Sequence, residues 1–305
     1  MHIRIPKGWE IPEREVTPES VYLNRRQLLS AAGFLGAAGL LRAAPYPAKR
    51  NGEFTLDRPI TSEEAAAGYN NFYEFDANNK EAVKDKVGKF TISPWKLEIT
   101  GLVKKPLTLD VDDIVKMMPL EERLYRHRCV ERWSMAIPWT GFPLSELIKK
   151  VEPTAEAKFV RFVSAERPKE MPGLGQLSWY PWPYQEGLRM DEAMNSLALV
   201  TTGMYGKPLY KQNGAPIRMI LPWKYGYKSG KSLVKMEFVK KQPSTLWNTV
   251  NSNEYGFYSN VNPNKPHPRW SQQFEQFIPT MERKQTLLYN GYEKWVAELY
   301  NGKET

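Results

Sequence analysis

The chain has 305 residues, of which 41% are hydrophobic and 12% aromatic, and its formal net charge is +9. This apolar content excludes disorder for most of the chain. No Gly/Ser-rich stretch and no run of like charges interrupts residues 60–300, so we expect one catalytic-sized domain. The basic charge suits an anionic cofactor or an ordinary solvated surface, and since none of the usual nucleic-acid-binding modules occurs in the sequence, we expect no nucleic acid partner.

Residues 1–44 have the pattern of a twin-arginine export signal. Arginines at 25–26 precede an apolar run over residues 28–41, and small residues follow. The run is shorter than the ~20 residues that a membrane-spanning helix needs, so an uncleaved anchor is the weaker alternative. A buried amphipathic helix is another alternative, although the run has no polar face. We expect export to the periplasm by the twin-arginine translocation machinery, with cleavage near Ala44 and a linker over residues 45–60. Proteins take this route already folded, often around a cofactor.

The catalytic domain is expected over residues 61–305, and its first half predicts short strands and helices in irregular order. Residues 67–75 mix amides, aromatic rings and a carboxylate without a clear period, which is typical of a loop. Trp95, Leu97 and Ile99 alternate along a predicted strand. The elements that follow are a helix capped by Asp110, an extended segment over residues 121–130, a helix opened by Pro143 and a strand ending at Ser164. This order favours an α+β fold with a mixed sheet.

Residues 213–239 predict a turn, a strand, a polar loop and a second strand. The turn falls at Asn213-Gly214 and the second strand ends at Val239, so a simple hairpin is one interpretation. The polar loop has a second interpretation, because glycine lets backbone amides approach a phosphate closely. Its polar residues and glycine are Lys224, Lys228, Ser229, Gly230 and Lys231.

Cys129 is the single cysteine of the chain, so it cannot form an internal disulfide. It could be an inert buried thiol, half of an intermolecular bridge, a nucleophile with His127 as its base, or a metal ligand. Arg126, Arg128 and Arg132 lie within three residues of it, and cationic neighbours favour the thiolate. Zinc, iron–sulfur and c-type haem sites generally need more Cys or His ligands than this chain offers. A metal here would need a cofactor that supplies most of its ligands, such as an organic dithiolene.

Several blocks of sequence resemble one family. The blocks are AGYNNFYEF, PLEERLYRHRCVERWSM, PWTGFPL, QNGAPIRMILPWKYGYKSGKS, NEYGFYSNVNP and HPRWSQ. From about residue 60 to the C-terminus the chain is similar to the periplasmic molybdenum catalytic subunits of protein-methionine-sulfoxide reductases, which have the sulfite-oxidase fold. The resemblance implies an α+β, mixed-sheet molybdopterin-binding fold with one Mo-molybdopterin per chain. Cys129 would be the one protein ligand of the molybdenum.

The resemblance also implies roles for other residues in the matching blocks. Asn71 and Glu131 would line the metal pocket and, with Cys129, form the catalytic set. The residues that would bind the molybdopterin with Cys129 are Asn70, Tyr73, Glu74, Ser164, Asn213, Arg218, Ser229, Gly230 and Lys231. His127 and Arg132 depart from the family pattern and would place two potential cations beside the metal, which affects its redox properties.

The implied activity is the reduction of methionine sulfoxide in oxidised exported proteins. This chain has no haem, flavin or iron–sulfur signature, so electrons must come from a partner, which in this family is a haem-containing integral membrane subunit fed by the quinone pool. Aromatic residues over 177–184 could form a rim for protein-bound methionine, or simply pack in the core.

Two rival functions stay open. One is sulfite oxidation or general S-/N-oxide chemistry on the same fold, and the other is a cofactor-free binding protein with an inert Cys129. Sulfite-oxidising relatives add an immunoglobulin-like dimerisation domain, and the roughly 65 residues after Lys240 are fewer than the ~100 that such a domain takes. We therefore expect a single domain that lacks this C-terminal extension.

Overall fold

The structure, a computed structural model, describes residues 45–300. The predicted export signal at residues 1–44 lies outside these residues. No helix within the described range is long and apolar enough to cross a membrane.

The described residues form short helices and strands. The strands are β1 (Lys96–Gly101), β2 (Leu107–Asp110), β3 (Glu121–Arg128), β4 (Trp133–Pro143), β5 (Phe159–Ser164), β6 (Gln185–Arg189), β7 (Leu199–Met204), β8 (Lys207–Pro208), β9 (Arg218–Ile220), β10 (Leu233–Val239), β11 (Phe274–Phe277) and β12 (Glu282–Gln285). The α-helices are α1 (Glu63–Gly68), α2 (Val83–Lys86), α3 (Val111–Met117), α4 (Leu144–Val151), α5 (Gly173–Gln176), α6 (Met190–Met194), α7 (Leu246–Val250) and α8 (Glu293–Val296). Short 3-10 turns cover Lys211–Asn213, Gly226–Lys228, Leu288–Gly291 and Ala297–Leu299.

Within residues 45–300 the strands form two mixed sheets. The five-stranded sheet has the order β2-β1-β10-β5-β6, in which β1 and β10 are parallel. The seven-stranded sheet has the order β12-β11-β4-β7-β8, with β3 paired to β4, β9 paired to β7, and β11 parallel to β4. The predicted α+β class with a mixed sheet is confirmed, in the form of two such sheets.

Local sequence patterns explain the elements that we predicted. Leu97 and Ile99 are buried on β1 while Lys96 is exposed, as the alternation indicates. Helix α4 follows Pro143 directly, and its buried residues are Leu144, Leu147, Ile148 and Val151. These positions repeat at helical spacing, so one apolar face packs against the core.

The hairpin interpretation of residues 213–239 is wrong. Strand β9 pairs with β7 in the larger sheet, whereas β10 pairs with β1 and β5 in the smaller one. Both strands are apolar and separated by a polar loop, so the local pattern resembles a hairpin although each strand has a different partner. The connecting segment 221–232 therefore passes from one sheet to the other, and it carries Ser229, Gly230 and Lys231.

The two flanking segments belong to the same domain. In the predicted linker over residues 45–60, the Tyr46 hydroxyl donates to the Thr202 carbonyl at 3.0 Å, and Phe54 is buried in the core. Toward the C-terminus, β11 and β12 extend the larger sheet beside β4. The described residues after Lys240 therefore complete the catalytic domain instead of building a second one.

Candidate functional site

A tight turn at the end of the β3–β4 hairpin carries Cys129. The Cys129 amide donates to the Trp133 carbonyl at 2.9 Å, and the Arg132 amide donates to the Cys129 carbonyl at 3.0 Å. Arg132 has a φ of 75°, in the left-handed region that a non-glycine residue seldom adopts. Such a conformation costs on the order of 1–3 kcal/mol and persists only where surrounding contacts enforce it.

Hydrogen bonds from buried polar side chains stabilise this turn. Arg128 is fully buried and donates to the Cys129 carbonyl and, at 2.8 Å, to Gln272 Oε1. Its Nε lies 3.1 Å from Glu275 Oε2, which makes a buried ion pair. The Gln272 amide donates to the Val130 carbonyl at 2.8 Å. The neighbouring Arg128 thus holds the Cys129 carbonyl, and the distant Gln272 holds the Val130 carbonyl.

The neighbouring arginines do not suffice to make Cys129 a thiolate, because burial outweighs the favourable effect of Arg128. Arg126 pairs with Asp57 at 3.0 Å, and the Arg128 guanidinium faces its own buried carboxylate. Burial raises the pKa of the Cys129 thiol to about 12, and the Glu131 carboxylate raises it further against the weaker opposing effect of Arg128. Ionisation of this thiol therefore requires something that the polypeptide alone does not supply, and a coordinated metal ion deprotonates a thiol outright.

His127 is neither a second cation nor the base of Cys129. Burial, with the nearby charges of Arg218 and Lys231, lowers the pKa of His127 to about 3, so the imidazole is neutral at pH 7. Its ring packs between aromatic rings, with centroid distances of 5.8 Å to Trp133 and 6.4 Å to Trp139. The Cys129 sulfur contacts Asn71 and Glu131 instead. Arg132, the other predicted cation, is exposed.

One cavity of about 1150 Å³ brings almost all predicted site residues together. The predicted residues that line it are Asn70, Asn71, Tyr73, Glu74, Cys129, Glu131, Asn213, Arg218, Ser229, Gly230 and Lys231. Ser164 is the exception, because it lies at the end of β5 opposite Leu233 and does not line the cavity. Its amide donates to the carbonyl of Tyr184, which does line it.

Donors and acceptors surround the thiol at one end of this cavity. The Asn71 side-chain amide lies 3.4 Å from Cys129 Sγ and 3.0 Å from Glu131 Oε2. The same carboxylate oxygen accepts from Trp133 Nε1 at 3.2 Å and lies 3.1 Å from Lys80 Nζ. The sequence did not single out Lys80, which lies in a loop without any recognisable motif.

Two cations, the buried Arg218 and the half-buried Lys231, also line the cavity. Burial lowers the pKa of Arg218 to about 9 and that of Lys231 to about 8. Arg218 donates to the carbonyls of Asn213 at 2.7 Å and Ser229 at 3.3 Å, and no carboxylate within the described residues forms an ion pair with it. Lys231 donates to the Asn71 carbonyl at 2.8 Å. The buried Glu74 carboxylate partly opposes the lowering of the Lys231 pKa. Because a buried cation without a carboxylate partner is costly, Arg218 suits an anionic ligand, and Lys231 adds a second positive charge at the same cavity.

The other lysines of the same loop point elsewhere. Lys224 lies 2.5 Å from Glu192 and Lys228 lies 2.5 Å from Glu186, and all four side chains are buried. Lys231 is therefore the lysine of this loop that lines the cavity.

The residues fit a molybdopterin with its molybdenum. The buried oxygen Oδ1 of Asn213 has no hydrogen-bond partner within the protein, which leaves an acceptor at the cavity wall for a polar ligand edge. Arg218 and Lys231 would bind the phosphate, and Cys129 would supply one thiolate to the metal. Within residues 45–300, no group of three or more His, Cys, Asp or Glu side chains is placed to hold a metal ion.

Comparisons with known proteins find several proteins that are similar to this chain. A family model described as the oxidoreductase molybdopterin binding domain matches residues 84–247. The protein-methionine-sulfoxide reductase catalytic subunit MsrP of Burkholderia mallei is 50% identical over 317 residues, which cover 97% of this chain and 95% of that protein. The protein of the same name from Ralstonia nicotianae is 47% identical over 322 residues, covering 98% and 96%. The crystal structure of the sulfane dehydrogenase SoxCD from Paracoccus pantotrophus aligns with a TM-score of 0.43 and 18% identity over 51% of this chain and 40% of that chain.

Proposed function

Because this chain belongs to the family of protein-methionine-sulfoxide reductase catalytic subunits, we propose that it reduces methionine sulfoxide residues in oxidised proteins with a molybdenum-molybdopterin cofactor. The observation that carries the proposal is the cavity itself, which combines a buried thiol with the buried Arg218 and the half-buried Lys231. A methionine sulfoxide takes up two electrons and two protons and yields a thioether and water. Restoring the thioether restores the apolar character of the side chain.

The protein residues of the cavity divide this work between them. A bound molybdenum cofactor supplies the two-electron oxygen-atom transfer chemistry. Cys129 would hold the metal, while Arg218 and Lys231 would hold the phosphate of the molybdopterin. Asn71 presents its amide hydrogens beside the thiol, where a sulfoxide oxygen needs a donor. Glu131 orients that amide by accepting from it at 3.0 Å.

We propose that the protein works in the periplasm with a haem-containing integral membrane subunit as its electron donor. The twin arginine and apolar run within residues 1–44 support export by the twin-arginine machinery. Residues 1–44 hold six Lys/Arg and four Asp/Glu, so the remaining chain keeps a formal net charge of +7, which supports docking to an acidic partner or an anionic membrane surface. Epitope-tagged protein should appear in the periplasmic fraction, and Arg25→Lys combined with Arg26→Lys should retain it in the cytoplasm.

The reaction is tested with the purified, cofactor-loaded protein and an artificial reductant. We expect molybdenum in the protein and conversion of methionine sulfoxide to methionine in an oxidised polypeptide. Sulfite oxidation is measured in parallel with an artificial electron acceptor. Molybdenum with sulfite oxidation alone would replace the proposed substrate, and a protein without molybdenum would contradict the cofactor as well.

A further inference from the structure

A continuous row of aromatic rings leads from the protein surface into the cavity. Trp179 is 71% exposed, and its ring centroid lies 4.3 Å from that of Tyr180. Tyr180 lies 5.8 Å from Trp247, which in turn lies 4.9 Å from Tyr73 and 5.0 Å from Tyr255. Tyr73, Trp247 and Tyr255 line the cavity, whereas Trp179 and Tyr180 lie outside it. We call these five residues the aromatic row.

Hydrogen bonds hold the loop that carries the outer part of the row. The Tyr180 amide donates to the Leu177 carbonyl at 3.0 Å, and the Trp182 amide donates to the Tyr180 carbonyl at 2.8 Å. The Trp182 indole donates back to the Leu177 carbonyl at 2.9 Å. Trp182 thus turns toward its own loop, while the neighbouring Trp179 remains exposed. The exposed position of Trp179 is therefore set by a loop that its own hydrogen bonds keep ordered.

Ring contacts that continue from the surface to the cavity distinguish Trp179 from other exposed apolar side chains. Met194 and Leu287 are 41% and 40% exposed and lie outside the cavity, whereas Met281, which is 54% exposed, is a single apolar residue at its lining. Scattered apolar residues of that kind are common on protein surfaces, whereas a contiguous apolar patch beside a cavity marks an interaction site. Tryptophan and tyrosine also dominate the residues whose removal weakens protein–protein binding.

Resting on the proposed function, we propose that the aromatic row is the docking surface for the polypeptide segment that carries the methionine sulfoxide, an extended chain with apolar residues around the oxidised side chain. The reaction takes place inside the cavity that the row enters, so a protein substrate must lie across its mouth. Methionine fills gaps in hydrophobic cores, and its oxidation disrupts them, so an oxidised segment exposes apolar side chains that had packed there. Rigid aromatic rings bury such side chains with little loss of conformational entropy. A free amino acid derivative needs only the cavity.

The test compares a protein substrate with a small one, using the cofactor-loaded enzyme and an artificial reductant, which bypasses any electron-donor subunit. The substrates are an oxidised, unfolded polypeptide and N-acetyl-methionine sulfoxide amide. Trp179→Ala should lower kcat/KM for the polypeptide about tenfold, through KM. Its kcat/KM for the small sulfoxide should fall less than about twofold, because Trp179 lies outside the cavity. Trp179→Phe should retain most of the polypeptide activity, and Met194→Ala is the matched control.

A binding measurement separates docking from turnover. Without reductant, fluorescence anisotropy of a labelled oxidised polypeptide should give a Kd about tenfold higher for Trp179→Ala than for wild type. An unchanged KM and Kd for the polypeptide would overturn the docking proposal, as would equal losses on both substrates. If wild type reduced neither substrate, the proposed function would fail, and the anisotropy result alone would decide whether the row binds polypeptide.

Discussion

Gln272 donates a 2.8 Å hydrogen bond to the Val130 carbonyl, although the two residues lie 142 positions apart. The Trp270 indole donates to the same oxygen at 2.9 Å. The turn that presents Cys129 is therefore fixed by a segment from the opposite end of the domain sequence. This contact gives the thiol a defined position before any ligand binds.

Removal of the Gln272 amide should loosen the turn. Gln272→Ala leaves the Val130 carbonyl with one side-chain donor and takes an acceptor from buried Arg128, so we expect a loss of about 1–3 kcal/mol in the free energy of unfolding. The Mo(V) electron paramagnetic resonance spectrum of the loaded protein should change, because the sulfur ligand moves. Gln273→Ala, at the exposed neighbouring position, is the control. Identical spectra and stabilities for both variants would show that the Gln272 contacts do not position the turn.

Gly173 and Gly175 provide a matched pair in helix α5. A Cβ at Gly173 would lie 2.1 Å from the Tyr73 carbonyl oxygen and 2.7 Å from the Glu74 carbonyl carbon, whereas a Cβ at Gly175 has nothing within 4 Å. Gly173→Ala must therefore displace the loop that contains two predicted cofactor ligands. We expect a lower melting temperature and a lower molybdenum content for Gly173→Ala, with Gly175→Ala unchanged in both. Equal molybdenum contents would refute this coupling.

Substitution by Met should lower mainly the molybdenum content at Lys231 and mainly the stability at Lys228. Lys231→Met removes the half-buried cation that would bind the phosphate, so molybdenum content should fall strongly while the cofactor-free protein loses less than about 1 kcal/mol of stability. Lys228→Met leaves buried Glu186 without its partner, and this should cost about 3–5 kcal/mol. Metal analysis and urea unfolding of protein from cofactor-deficient cells measure the two effects. Wild-type molybdenum content in Lys231→Met would contradict the phosphate-binding role.

His267 should make the protein less stable in mild acid. Burial lowers the pKa of His267, and Arg269 lowers it further, while Glu254 opposes them. Since the unfolded histidine binds a proton near pH 6.5 that the folded one refuses, the free energy of unfolding should decrease as the pH falls through about 6.5. The imidazole Nδ1 accepts the Arg269 amide at 3.2 Å, an acceptor role that Asn can keep. His267→Asn should therefore reduce the change in urea midpoint between pH 8 and pH 5.5, and an unchanged difference would count against this account.

Local sequence predicted the elements whose cause is local. The alternation of Leu97 and Ile99 and the helical spacing of Leu144, Leu147 and Ile148 record which face each element buries. The same information does not name a strand's partner, so β9 and β10 resembled a hairpin although they belong to different sheets.

The candidate site divides in the same way. Sequence blocks identified Cys129, Asn71 and Lys231, which the fold brings to one cavity. Local sequence did not predict the charge states, because burial has the largest effect in keeping the Cys129 thiol and the His127 imidazole neutral. Contacts such as that of Lys80 with Glu131 come from loops whose meeting depends on the whole fold.

The central claim is that the Cys129 thiolate holds molybdenum in this cavity, and molybdenum K-edge X-ray absorption of the loaded protein tests it most directly. The wild-type spectrum should contain one more sulfur neighbour at thiolate distance than that of Cys129→Ser, whose sulfoxide reductase activity should be abolished. A sulfur shell and an activity that are unchanged in Cys129→Ser would show that Cys129 is not the ligand.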